Sequence, residues 1–270
     1  MTKITQKPDG SVSFELVIPK TTIAAEYQHV LKEMAATVQI KGFRPGKAPL
    51  AMVEAQLDQS KLYSHVLDHV LSPAYSAVIH EHKLIPLLEP RVNPKSMETG
   101  KDWVMSVEVA IAPEIKLGDY EKLVVSALKK HAKVHPTHED AKPEEIRDHQ
   151  LNVIFDALLD GIKFDVSPFL IEEETNSALA RLAKQLTPLK LTLAGYAKSI
   201  KKTPEELLGE YKQSAQNNLK LEFILQKLIE VRKTEVTDAE IATLKPPKGQ
   251  ESYAKYVLQK RKVLDFLSAL

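Results

Sequence analysis

The chain contains no cysteine. That excludes a disulfide framework, a thiolate metal centre and a cysteine nucleophile, and it suits a reducing compartment. Glycine is scarce as well, nine in 270 residues, about half the usual share of roughly 7%. Folds that cradle phosphates or build tight catalytic loops need more glycine than this; helical ones do not. Aromatic residues make up 6%, with one tryptophan. No apolar run reaches the about 18 residues needed to cross a bilayer, and the start, MTKITQKPDGSVSFELVIPK, lacks a signal-peptide core. A cytoplasmic protein without a membrane partner is expected. No charge of one sign dominates: 37 Lys and Arg against 36 Asp and Glu leave a formal net charge of +1. A broadly basic nucleic-acid binder is thereby excluded, and any cationic site must be local.

What remains is an ordinary globular composition, 43% hydrophobic and 27% charged, of a length that suggests about two domains. Val12, Phe14, Leu16 and Ile18 alternate, which predicts a strand, and Asp9-Gly10 before it predicts a hairpin with Lys3–Lys7. Ile23, Tyr27, Val30, Leu31, Met34 and Val38 predict a helix over 22–38. A second helix is expected with Pro49 in its first turn. A third spans 60–82, with Pro73 kinking or dividing it. Alternation returns at 102–111, DWVMSVEVAI. Residues 1–112 thus read as a compact α+β domain. The charged stretch 113–142, with one short apolar run at Leu123–Val125, reads as an extended linker. From Pro143 to Leu270 the chain reads as an all-α domain, with helices over 143–160, 169–186, 189–200, 204–232, 237–244 and 251–268. Thr203-Pro204-Glu205-Glu206 and Thr237-Asp238-Ala239-Glu240 are capping boxes.

One motif is sharp. Gly42-Phe43-Arg44-Pro45-Gly46-Lys47-Ala48-Pro49 places two of the nine glycines within five residues, between two expected helices. Glycine opens backbone angles closed to other residues, and proline stiffens the remainder. Phe43, Arg44 and Lys47 stand at the tip, with Lys41 before them. Such a loop suits docking on a ribonucleoprotein, cations on phosphates and the phenyl ring in an apolar pocket. The competing reading is a plain connection whose phenylalanine folds back into the core.

GFRPGKAP resembles the ribosome-docking signature of the bacterial trigger factor family, Gly-Phe-Arg-x-Gly-x-x-Pro, which falls on Gly42, Phe43, Arg44, Gly46 and Pro49. The segments SVEVAIAPEIKLGDYEKL and ALLDGIKFDVSPFLIEEETNSALARL are similar to the end of the family's N-terminal domain and the start of its C-terminal one. The resemblance implies a ribosome-binding domain at 1–112, docking through Gly42, Phe43, Arg44, Pro45, Gly46, Lys47 and Pro49. It implies a helical chaperone domain at 143–270. The implied partners are the large ribosomal subunit at the tunnel exit, protein and rRNA, and unfolded nascent chains, with a weak homodimer as a further possibility. The implied function is a nascent-chain holdase; a prolyl isomerase and a ribosome-assembly or RNA-binding factor stand as alternatives. Full-length members carry an isomerase domain on the order of 85–100 residues. Here only Lys129–Lys142 separates Leu128 from Pro143, without an aromatic residue. No isomerase domain, no catalytic residue and no cofactor are therefore expected, and the C-terminal end looks shortened at KPPKGQ.

Other candidates read as structural. His131, His135, His138 and His149 could hold zinc or nickel, but Pro136 breaks the spacing and no cysteine assists, so a solvated linker and no metal are expected. His65 and His69 lack the glutamate of a metalloprotease. Glu172-Glu173-Glu174 is expected at a helix start, complementing the dipole. The amphipathic helix 251–268 is expected to pack on its own bundle rather than on a membrane.

Overall fold

The computed structural model describes residues 2–44, 46–134 and 143–270. It divides into two compact units: Met1–Lys7 with Ser11–Ile111, and Pro8–Gly10 with Ala112–Leu270.

The first unit is built on a four-stranded antiparallel sheet. Its strands are β1 (Ile4–Gln6), β2 (Ser11–Ile18), β3 (Arg91–Ser96) and β4 (Trp103–Ala110), in the order β1-β2-β4-β3. The period-two pattern sets the register. Val12, Phe14, Leu16 and Ile18 stand opposite Val109, Val107, Met105 and Trp103, and all eight are buried. Helices α1 (Lys20–Thr37), α2 (Leu50–Gln56) and α3 (Gln59–Glu81) supply the other layer through Ile23, Val30, Leu31, Val53, Leu62 and Val66. Tyr27, Tyr63 and Trp103 form a tilted aromatic row, ring centroids 5.5 and 6.0 Å apart. Pro73 lies inside α3, which continues through it as one element. Strand β3 was not legible from RVNPKS. It pairs only with β4, so an edge position tolerates Pro94, and the register shifts between Pro94 and Ser96.

The second unit departs from the expected linker. Residues Tyr120–Val134 form a helix, α4, whose Val124 is fully buried beside Leu123 and Leu128. The physical reason is a narrow stripe: four apolar positions, Leu123, Val124, Ala127 and Leu128, suffice for one contact face amid many charges. The helical unit therefore begins before Pro143, and Ile115 and Leu117 already pack on its core. The remainder of the expected linker, 135–142, lies outside the described residues.

Next come α5 (Pro143–Gly161), α6 (Pro168–Leu186), a 3-10 turn (Thr187–Leu189), α7 (Leu193–Ser199), α8 (Pro204–Val231), α9 (Asp238–Thr243) and α10 (Glu251–Ser268). Gly161 lets α4 approach: a Cβ there would come 2.4 Å from Leu123 Cδ1. Both capping boxes form, Thr203 with Glu206 and Thr237 with Glu240. With 28 residues, α8 runs about 42 Å. Its C-terminal half joins α4, α5 and α10 through Ile224, Leu225 and Leu228, packed with Val124, Ile154, Leu158, Val263 and Leu267. Leu207 and Ala215 are buried nearer its start, and α6 and α7 also pack on this helix.

The acidic run is corrected. Helix α6 starts at Pro168 and its first turn holds no acidic residue; Glu174 instead pairs with Arg181 at 2.8 Å. Helix α10 packs on its own unit, burying Ala254, Val263 and Leu267. Lys260 and Tyr256 both reach Glu222, and Arg147 meets Asp265 at 2.6 Å. No helix among the described residues is long and apolar enough to cross a membrane.

Candidate functional site

The glycine-proline motif lies between α1 and α2 of the first unit. Helix α1 ends where Val38 turns extended, its N–H bonded to the Met34 carbonyl. Ile40, only 2% exposed, then anchors the chain in the core. Beyond it the loop turns outward. The Phe43 N–H donates to the Ile40 carbonyl and the Lys47 N–H to the Arg44 carbonyl, each at 3.0 Å. These two turns need left-handed backbone, and glycine supplies it: Gly42 has φ +90° and Gly46 φ +77°. Space is not the constraint at Gly42, where a Cβ would meet nothing within 4 Å. Re-entry is fixed by Ala48 and Leu50, both packed against the core. Pro49 stands at the N-cap of α2, one residue outside its first turn, and its carbonyl accepts from Met52 and Val53.

The helices that hold the loop are braced. The Tyr27 hydroxyl of α1 donates to Glu54 Oε1 of α2 at 2.6 Å, and Gln59 Nε2 donates to the Glu54 carbonyl. Burial, then the hydrogen bond to the Glu54 carboxylate, pushes the Tyr27 hydroxyl up to about 12. Nothing in the sequence marked this brace; it joins two residues 27 apart whose types serve equally well on any surface.

Phe43 does not fold back. It is 39% exposed and stands outside the core cluster. Lys41, Arg44 and Lys47 are exposed too. Among the described residues none of the three cations is in an ion pair. The structure thus brings Gly42, Phe43, Arg44, Gly46, Lys47 and Pro49 onto one projecting loop; Pro45 lies outside the described residues. An uncommitted cationic tip with a half-exposed ring is equipped to bind a surface.

Comparison with known proteins bears on this loop and on the helices that follow. The profile described as Bacterial trigger factor protein (TF) matches residues 1–146, more than half the chain. The chain belongs to the bacterial trigger factor family. A second profile, for the C-terminus of the same proteins, matches residues 125–245. The two overlap at 125–146, which leaves no stretch for another domain between them. The trigger factor of Streptococcus suis (strain 05ZYH33) is 27% identical over 285 residues, covering 96% of this chain. This chain spans 63% of that relative's length. The trigger factor of Listeria monocytogenes serotype 4a (strain HCC23) is 32% identical over 145 residues, 54% of this chain and 33% of its own. A solved structure described under "Promiscuous Substrate Recognition in Folding and Assembly Activities of the Trigger Factor Chaperone" shares the fold. Its TM-score is 0.68 at 14% identity, over 100% of this chain and 99% of that one.

A concavity of about 730 Å3 lies on the outer face of the sheet and includes Lys3, Glu15, Lys95 and Ser106 in its lining. Lys95 and Glu15 are paired with each other there. Among the described residues no group of three or more metal-ligating side chains could hold an ion.

Proposed function

We propose that the chain is a ribosome-associated chaperone that docks through the α1–α2 loop and holds newly made polypeptides with its helical unit. The observation that carries the reading is the projecting loop. Two positive-φ glycines and a buried Ile40 hold Phe43, Arg44 and Lys47 out in solvent. The large ribosomal subunit at the tunnel exit offers both phosphates for the cations and protein pockets for the ring. Residues 1–112 act as the ribosome-binding domain. The chaperone domain is helical and reaches back to α4. Its clients vary, so contacts must be adaptable and individually weak. Leu189, Leu191, Ile200 and Leu208 are exposed by 66, 41, 38 and 48% and fall around α7 and the start of α8. Exposed apolar groups of this kind mark binding surfaces. Docking near the exit raises the local client concentration, which lets weak contacts count. The chain is read as a cytoplasmic holdase that works by binding; the overlap of the two matching family profiles, with no isomerase segment between them, supports that reading.

Co-sedimentation with ribosomes, with and without a translating chain, tests the reading. Binding to intact large subunits, falling with added salt, and slowed aggregation of a chemically denatured protein are the expected results. Binding to free or precursor RNA alone would replace the chaperone with an assembly factor. Acceleration of prolyl-peptide isomerisation above its spontaneous tens to hundreds of seconds would restore the enzyme.

A further inference from the structure

Histidines 131 and 149 stand 18 residues apart in sequence, the first inside the stretch expected to be solvated linker and the second in the helix expected from Pro143. The structure puts His131 on a helix as well, in the last turn of α4, and His149 in the second turn of α5. The two helices pack together. The Nε2 atoms of the two rings approach to 2.6 Å, with ring centroids 4.4 Å apart and planes at 70°. Two such nitrogens share a single hydrogen: one donates and the other accepts. The two ring nitrogens therefore face one small volume between the helices. Both side chains are reachable from solvent: His149 is exposed and His131 partly so.

We propose that His131 and His149 form a two-imidazole chelate for a divalent transition ion, zinc or nickel, bridging α4 and α5. Neutral imidazole nitrogen is a preferred ligand of both metals. A metal takes the place of the shared hydrogen, which passes through solvent to Nδ1 of the ring that carried it, so that both imidazoles stay neutral and each Nε2 sits about 2.0–2.1 Å from the ion. That requires the nitrogens to part from 2.6 Å by about 0.3 Å for a right-angled site and about 0.7 Å for a tetrahedral one. Water fills the remaining coordination positions, so the affinity is that of a two-ligand site, far below a closed structural centre. The consequence is mechanical. Helix α4 packs on its core through Tyr120, Leu123, Val124 and Leu128, and a metal at its C-terminal turn fastens the turn that follows Leu128. An ion that binds the folded pair and not the separated helices stabilises the packed arrangement by mass action.

The experiment uses the full chain without a polyhistidine tag, stripped by chelator and titrated calorimetrically with Zn2+ or Ni2+ alone. One ion per chain is expected, with a rise in melting temperature. Removal of an outer-shell partner typically costs about 10–100-fold in affinity; His131→Ala and His149→Ala, which remove a ligand itself, should each cost at least that. His65→Ala with His69→Ala serves as a control and should leave binding unchanged. His149→Gln keeps a hydrogen-bonding partner for His131 but only one imidazole. Its melting temperature in chelator should match the parent, and its metal-induced rise should vanish. Binding that survives the His131→Ala, His149→Ala double variant, binding abolished by the His65/His69 control, or no binding at all would each overturn the proposal. These outcomes are read without ribosomes or clients, so they stand apart from the docking and holdase tests.

Discussion

Large apolar side chains that remain exposed number six in the first unit and nine in the second among the described residues, a similar density for units of unequal size. Distribution separates them. In the first unit Val17, Phe43, Met52, Ile85, Leu87 and Met97 are scattered over strands, helices and loops. In the second, four of the nine fall between Leu189 and Leu208. The first unit closes one core around a sheet and presents a loop turned by two positive-φ glycines. The second spreads its core along a long helix and leaves a corner wet. A loop with defined turns suits one partner of constant shape, and a wet apolar corner suits many partners of varying shape. The amount of exposed apolar surface would not have told these roles apart.

The comparison requires that the units be separately stable, and the largest expected effect tests that. Trp103 is 1% exposed between β2 and the helices that carry Tyr27 and Tyr63. Trp103→Ala should cost the first unit about 3–5 kcal/mol. Leu228→Ala, at a fully buried position of the second core, should cost about 2–5 kcal/mol. Urea unfolding followed by circular dichroism should show one transition moving in each variant while the other stays in place. A single transition that shifts as a whole in both variants would dissolve the division into independent units.

The next effect is on binding and sharpens the functional half of the contrast. Replacing Phe43 and Arg44 together by alanine should weaken ribosome docking by about 2–4 kcal/mol if they act as hot spots. Stability should change by no more than about 0.5 kcal/mol, because both side chains are exposed. Aggregation suppression by the helical unit should be untouched. Equal loss of docking and of client holding would mean that the two surfaces are not separate.

Much of the fold was legible in the sequence. Strands β2 and β4 announce themselves because one face is buried along their whole length, so the period of two is unbroken from Val12 to Ile18 and from Trp103 to Val109. The capping boxes were legible because their chemistry is local. What failed was local weakness offset by tertiary contact. Strand β3 carries a proline and two charges, yet an edge position next to β4 accepts them. Helix α4 reads as a charged linker because only one narrow stripe touches the core. At the site, the loop's place between two helices and its glycine geometry were readable. The Tyr27–Glu54 brace and the meeting of His131 with His149 were not, since each is a pairing across helices that no spacing along the chain encodes.

A smaller effect probes how the second unit fixes its helix ends. Thr203 Oγ1 accepts from the Glu206 N–H at 3.1 Å, and Glu206 Oε2 accepts from the Thr203 N–H at 2.7 Å. Thr203→Ala removes half of this box at the start of α8, beside the wet corner. A loss of about 1 kcal/mol is expected, in the second transition only. Hydrogen exchange should quicken in the first turn of α8 and not in the part packed on α5 and α10. Uniform quickening along α8 would show that its two halves open as one piece.

The smallest expected effect is a pH dependence, and it belongs to the second unit alone. Glu240 serves the capping box of α9 and also reaches α10. Its carboxylate meets Lys262 Nζ at 2.7 Å and accepts from the Thr237 N–H at 2.8 Å. The Lys262 hydrogen bond first, then the Thr237 backbone and hydroxyl, hold its pKa down to about 2, against 4.5 for a free glutamate. A carboxyl with a depressed folded pKa binds fewer protons folded than unfolded between these two values. Its stabilising contribution is therefore complete above about pH 4.5 and is lost as pH falls toward 2. The group is solvent-exposed, so screening by water and salt keeps the contribution small. Lys262→Ala should move the Glu240 carboxyl titration, followed by carbon-detected NMR, upward toward 4.5. Thr237→Ala should move it upward by less, because the backbone N–H still donates. Added salt should shrink the difference between parent and Lys262→Ala. The first unit's unfolding transition at pH 3 should be the same in the parent and both variants. If Glu240 titrates near 4.5 in the parent chain, α9 and α10 are not joined through this carboxylate, and the last turns of the second unit rest on the apolar contacts of Val263 and Leu267.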